Sequence, residues 1–173
     1  MPTRKIFKNA TVAQYAVRDA LAIVLAQELI APSRDVFIVA PWISNIQLFD
    51  NSEGRFQSLN PEWSKGEIRL NDVLVSLAGL GSRIRVYTRP DSHNNAFLER
   101  LEAGFSQVGA SPECVIARRE RLHTKGLLTD HVLIDGSMNL THNGVALNDE
   151  QVTVSFDPAQ ISSARVHFET YGQ

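Results

Sequence analysis

The chain has 173 residues, 43% of them apolar and 21% charged, with a formal net charge of -2. That length and balance suit one folded domain with a hydrophobic core and exclude wholesale disorder. The charge gives no support for a dedicated basic nucleic-acid coat, though it leaves room for a local basic site. The single cysteine, Cys114, excludes an intrachain disulfide and any paired-cysteine metal or redox pattern.

The first eight residues carry positive charge but no apolar stretch directly behind it. The apolar stretch 20–30 is too short for a bilayer and is broken by Gln27 and Glu28. Neither a signal peptide, a transmembrane helix nor stable membrane association is expected, and the cysteine usage fits a reducing compartment, so the expected location is the cytoplasm.

Residues 11–30 read as a helix, with Ala13, Ala16, Val17, Ala20, Leu21, Val24 and Leu25 on helical spacing and Thr11 as its N-cap. Residues 36–40 form a compact β-branched run, a buried strand that Pro41 stops, with Trp42 just beyond it. Residues 45–66 are polar with no clean period and read as a long loop with a short helix, of the kind that often lines a site.

A helix over 70–80, a strand over 84–87, a helix over 94–108 and a strand over 115–117 follow, the last preceded by Cys114 as a small packed residue. Residues 122–129 and 131–135 read as two strands joined by a tight turn near Asp130. A polar segment then leads to a strand over 152–156, and Pro158 opens a terminal helix reaching about Tyr171. This order specifies an α/β single domain, a mixed β-sheet sandwiched between helices, with no internal repeat.

The chemistry concentrates late in the chain. On a strand, residues two apart share a face, so His123 and Lys125 project together. An imidazole beside an ammonium is unfavourable unless an anion lies between them, and phosphate is the natural anion. Gly136 permits close backbone approach, and Ser137 and Asn139 offer neutral groups for phosphate oxygens. Glu150 is placed to accept from the second imidazole nitrogen and fix the tautomer.

His123-x-Lys125 with Asp130, then Gly136-Ser137-x-Asn139 and Asn148-x-Glu150, resembles the phospholipase D superfamily and its HKD motif, here spanning 123–139. The stretch 136–150 is especially similar to nuclease-type members. One departure is that five residues rather than six separate Asp130 from Gly136.

The resemblance implies a phospholipase D-like fold and a two-step phosphodiester cleavage with no metal or other cofactor. His123 is then the nucleophile, Lys125, Ser137 and Asn139 bind phosphate, Glu150 orients His123, and Asp130 is structural. No metal-ligand spacing appears in the sequence. Family chemistry uses two motifs and this chain carries one, so a homodimer joined through the active-site face is expected, with two copies of His123 meeting on a twofold axis.

Nucleic acid is the expected substrate, and a place in a larger bacterial defence complex is a further implication of the resemblance. The alternatives are a phospholipase-type lipid hydrolase and a non-catalytic nucleic-acid-binding dimer. Arg118, Arg121, Trp42, His93 and His142 are candidate substrate contacts, weighed against ordinary surface or packing roles.

Overall fold

The computed structural model describes residues 3–9, 11–12 and 15–173. The strands are β1 (Thr3–Lys8), β2 (Asp35–Val39), β3 (Gln47–Asp50), β4 (Glu67–Arg69), β5 (Arg83–Thr88), β6 (Val115–Arg118), β7 (Gly126–Leu128), β8 (Leu133–Gly136) and β9 (Glu150–Ser155). The α-helices are α1 (Ala16–Ile30), α2 (Leu70–Gly79), α3 (Asn95–Gln107) and α4 (Pro158–Glu169).

Seven strands form one mixed sheet in the order β1-β9-β8-β7-β2-β5-β6. β2, β5 and β6 run parallel, and the remaining pairs are antiparallel. β2 is buried along its whole length, as its apolar run requires of a central strand. One face of the sheet packs against α1, α2 and α3 through a large core that includes Leu21, Leu25, Val36, Ile38, Leu74, Val86 and Leu101. The other face carries a smaller core of Phe37, Val39, Tyr87, Leu128 and Leu133 under Ile161 and Phe168 of α4. This is the expected α/β sandwich. Among the described residues no helix is long and apolar enough to cross a membrane.

Four expectations need correction. The first helix begins at Ala16, not near residue 11. Tyr15, not Thr11, holds the N-cap position of α1, and the backbone N–H groups of Thr11 and Val12 donate to Asn9 Oδ1 at 2.9 and 2.7 Å, an Asx turn ahead of the helix. Ala13 lies outside the described residues.

The N-terminal segment, read only for its charge, is strand β1. Its alternation is short, with Ile6 and Lys8 turned inward, and the Lys8 ammonium donates to the Asn148 carbonyl.

The stretch 45–66 is not a plain loop. It contains β3, a 3₁₀ turn over Arg55–Ser58 and the approach to β4, with which β3 forms a separate ribbon. Phe49 packs in tilted contact with Phe56 and Trp63 at centroid distances of 4.8 and 6.3 Å, an aromatic knot that supplies the core of this segment. Its far end, Leu59 to Trp63, lines a surface groove against α2 and α3 rather than the groove that contains His123.

The strand expected over 122–129 is only three residues long. Val39 pairing with Gly126 is the last rung of β7 on β2. Pro41, which follows on the β2 side, has no N–H to extend a ladder. His123 and Lys125 therefore precede the sheet, outside any strand.

Candidate active site

The carboxyl ends of β2, β5 and β6, the amino ends of β7 and β9 and the carboxyl end of β8 all lie at one end of the sheet. In open α/β sheets this end is where loops diverge and sites are built. Asn94, fully buried, ties these loops together. Its amide donates to the carbonyls of Pro41 and Arg89 and to Thr88 Oγ1, and its Oδ1 accepts from Ile43 N at 2.8 Å. Ser44 N then donates to Leu140 O at 2.8 Å, joining the loop after β2 to the segment that holds Asn139.

Because His123 lies outside the ladder, side chains hold its segment. Arg89 Nε donates to Leu122 O at 2.7 Å. Thr124 Oγ1 meets Tyr171 OH at 2.7 Å, and Tyr171 OH meets His167 Nε2 at 2.9 Å. Arg119 Nε donates to Tyr171 O at 2.7 Å, fastening the C-terminal turn beneath the motif. Lys125 Nζ donates to His123 O at 2.6 Å and lies 3.4 Å from His123 Nδ1, so imidazole and ammonium do converge.

Lys125 is buried. That burial pushes its ammonium below the ordinary lysine range; the Glu150 charge opposes the shift and the Arg89 charge adds to it. Among the described residues Lys125 forms no ion pair. A buried cation beside an imidazole and a guanidinium favours an anionic ligand.

His123, Lys125 and Ser137 line one groove of about 890 Å³ between β8 and α4. Gly136 turns the chain at the end of β8 with φ +151°, and a Cβ there would lie 2.1 Å from Gln151 O. Only glycine allows this approach, which sets Ser137 N on Gln151 O at 3.0 Å and Ser137 Oγ under Gln151 N at 3.0 Å.

Glu150 does not bond His123, contrary to expectation. Its carboxylate accepts from Ser137 Oγ, because β8–β9 pairing brings Ser137 beside it. The Asn139 Oδ1 atom is buried without a partner among the described residues.

Asp130 sits at the opposite end of β7. Its carboxylate accepts from Arg165 Nη2 and from Arg34 N, both at 2.7 Å, joining the motif's turn to α4 and to the start of β2.

The remaining candidates do not line the groove. Trp42 donates to Asp91 at 3.0 Å and lies under the Arg89 guanidinium at 5.5 Å. The Trp42 indole bond and a bond from the His93 backbone N–H at 2.9 Å hold the Asp91 carboxyl below its usual value. His93 Nε2 meets Ser44 Oγ at 2.9 Å. Arg118 and Arg121 are exposed near the end of β6, and His142 is exposed just before a π-helical turn over Asn143–Leu147.

Three residues of the site escaped the sequence reading. Arg89 follows an ordinary strand, and its closeness to Lys125 is purely tertiary. Asp135 lines the groove two residues before Ser137, a position the strand alternation could have flagged. His167 lines it from α4 and has no Lys or Asp at motif spacing after it to mark it in the sequence.

Residues 46–171 match the family model described as cardiolipin synthase, PLD-like domain. A mitochondrial cardiolipin hydrolase of Chlamydomonas reinhardtii is 27% identical over 100 residues, which are 58% of this chain and 44% of that protein. Among solved structures, NucT from Helicobacter pylori superposes with a TM-score of 0.58 at 13% identity, covering 98% of this chain and 96% of that one. Nuc from Salmonella typhimurium, a phospholipase D family member, superposes with a TM-score of 0.61 at 11% identity, covering 98% and 93%.

Proposed function

The chain belongs to the phospholipase D superfamily, and on that premise we propose that it is a metal-independent phosphodiesterase that cleaves nucleic acid through a phosphohistidine at a homodimer interface. The observation that carries this reading is the convergence of His123, Lys125 and Ser137 on one groove at the loop end of the sheet. The full-length likeness to Nuc and NucT supports a nuclease, since both solved chains are close to this one in extent.

Binding comes first. A phosphodiester entering the groove meets Lys125, the Ser137 hydroxyl and, behind Lys125, the Arg89 guanidinium. Lys125 then turns from His123 Nδ1 to the phosphate oxygens. This frees Nδ1 to carry the ring proton and Nε2 to attack.

In the first step the Nε2 lone pair forms an N–P bond. The P–O bond to the leaving group breaks, and the leaving oxygen takes a proton from the second copy's imidazolium. In the second step that imidazole, now neutral, removes a proton from water. The hydroxide attacks phosphorus, the N–P bond breaks, and His123 and a phosphomonoester are released. The cations stabilise the charge that builds on the equatorial oxygens in both steps. Two copies of one imidazole, one neutral and one protonated, supply acid and base from one residue type.

A second reading is a lipid phosphodiesterase. The match to a cardiolipin hydrolase and to a model named for cardiolipin synthase favours it.

The test is a substrate panel in EDTA: labelled single-stranded DNA, duplex DNA, RNA, and cardiolipin or phosphatidylcholine vesicles. The expected result is cleavage of nucleic acid that persists in chelator and vanishes in His123→Ala, with the dimer retained by gel filtration. Unchanged cleavage in that variant sinks the proposal, and full activity from a monomer sinks the shared site.

A further inference from the structure

Beyond the reacting groups, the groove follows α4 away from His123 over Leu133, Asp135 and Phe168. Its volume, about 890 Å³, is that of a small-ligand pocket. Leu133, Ala164 and Phe168 make its floor apolar. Gly126 lies beneath Phe168: a Cβ there would lie 2.9 Å from Phe168 Cζ, so the ring rests directly on the strand backbone. Along the edges stand Asp135, Gln160 and Ser163, none of whose side chains hydrogen-bonds to another side chain or to the backbone of another described residue, and His167.

Asp135 is the unusual member. Its backbone is fixed in the sheet between Gly126 on β7 and Thr153 on β9. Its side chain reaches solvent through the groove mouth, yet it forms no ion pair among the described residues. The groove walls bury the carboxyl enough to push it above its ordinary range, against the pull of its own backbone N–H. A negative charge here repels a second phosphate, so a polyanion backbone cannot continue down the groove. What fits is a flat, neutral group with N–H donors on its edge.

Asp135 and Ser137 line the same groove two residues apart, at most about 7 Å along the chain, within the reach from a phosphate to the base of the same nucleotide. A carboxylate offers two acceptors side by side. Guanine alone among the common bases sets two donors side by side, N1–H and the exocyclic amine. Adenine and cytosine place an acceptor next to their amine, and thymine and uracil place one N–H between two carbonyls.

We propose that this groove is a base-binding subsite in which Asp135 accepts two hydrogen bonds from a guanine adjoining the scissile phosphate. The inference rests on the nuclease reading above and adds its base preference. A cationic lipid headgroup is disfavoured, because among the described residues the rings lining the groove are those of His167 and the buried Phe168, too few to cage a cation.

The test digests a random-sequence pool of single-stranded DNA with the full chain and with Asp135→Asn, in EDTA, and maps the cut positions by sequencing. Guanine should be enriched at one nucleotide beside the cut. The preference for guanine over thymine there should fall about tenfold in Asp135→Asn. That ratio is internal to each digest, so it is independent of how much of the variant is active.

No base preference in the wild type, or the same preference in the variant, overturns the subsite. So does hydrolysis of phosphatidylethanolamine vesicles that falls in Asp135→Asn, which would give the groove to a lipid amine. Failure of the nuclease reading looks different: the wild type makes no cuts at all, or His123→Ala makes the same cuts, and either result removes the subsite with it.

Discussion

Gly136→Ala tests how the motif's glycine works. The added Cβ would meet Gln151 O at 2.1 Å and Val152 Cα at 3.0 Å, both backbone atoms that cannot swing aside. The residue also sits at φ +151°, where an L side chain is strained. Strain of this kind costs about 2 kcal/mol. Relieving the clash opens the β8–β9 rung at Gly136–Val152 and the Ser137 N to Gln151 O bond, which adds about 1 kcal/mol. The sum, about 3 kcal/mol, corresponds to a fall of about 9 °C in Tm for a domain of this size. Ser137 and its partner Glu150 move with the rung, so activity should fall further than stability alone explains. Thermal melting by circular dichroism, with cleavage rates taken well below the melt, measures both. A variant melting within about 2 °C of wild type with unchanged rates would refute the claim that Gly136 sets the position of Ser137.

Asp35→Asn should destabilise the fold by about 3 kcal/mol, read from denaturant unfolding, because the buried carboxylate is bonded to Arg83 at 2.5 Å and Arg85 at 3.1 Å with Arg165 nearby. Burial alone would raise this carboxyl, but the hydrogen bonds and charges of Arg83 and Arg85 outweigh it and hold it below its usual value. Its stabilisation is therefore complete above the unfolded carboxyl value, near pH 4, and is lost as pH falls through the lower folded value. The acid limb of Tm against pH should accordingly be shallower in Asp35→Asn. Arg89→Ala removes both the tether to Leu122 O and a charge beside Lys125, and should lower kcat/KM about tenfold or more. Arg89→Lys should not restore it, since a flexible ammonium does not reproduce the guanidinium's stacked position over Trp42.

Most of the sandwich was legible because its elements carry strong periods. β2, β5, α2, α3 and α4 lie within one or two residues of their expected bounds. What escaped was decided by contacts distant in sequence. β1 is recognisable as a strand only through its pairing with β9, since its inward face holds just Ile6 and Lys8. β3 and β4 are short polar strands made stable by three aromatic residues spread over 15 positions. In the site, His123, Lys125, Ser137 and Glu150 were read from spacing, and the structure brings them into one neighbourhood. The partner of Glu150 is Ser137 rather than His123, because the β8–β9 pairing that seats Ser137 beside it is a long-range contact that strand alternation does not encode. Asn94 and Arg89 bridge loops after different strands, so no local pattern marks them.

The central claim is that His123 becomes covalently bound to phosphorus. Acid quenching of the wild-type protein during turnover of a labelled phosphodiester in EDTA, followed by peptide mass spectrometry, reads this directly. The account predicts a phosphorylated adduct on the peptide containing Leu122–Lys125, absent in His123→Ala. Turnover at full rate in His123→Ala, or wild-type turnover that EDTA abolishes, would contradict it.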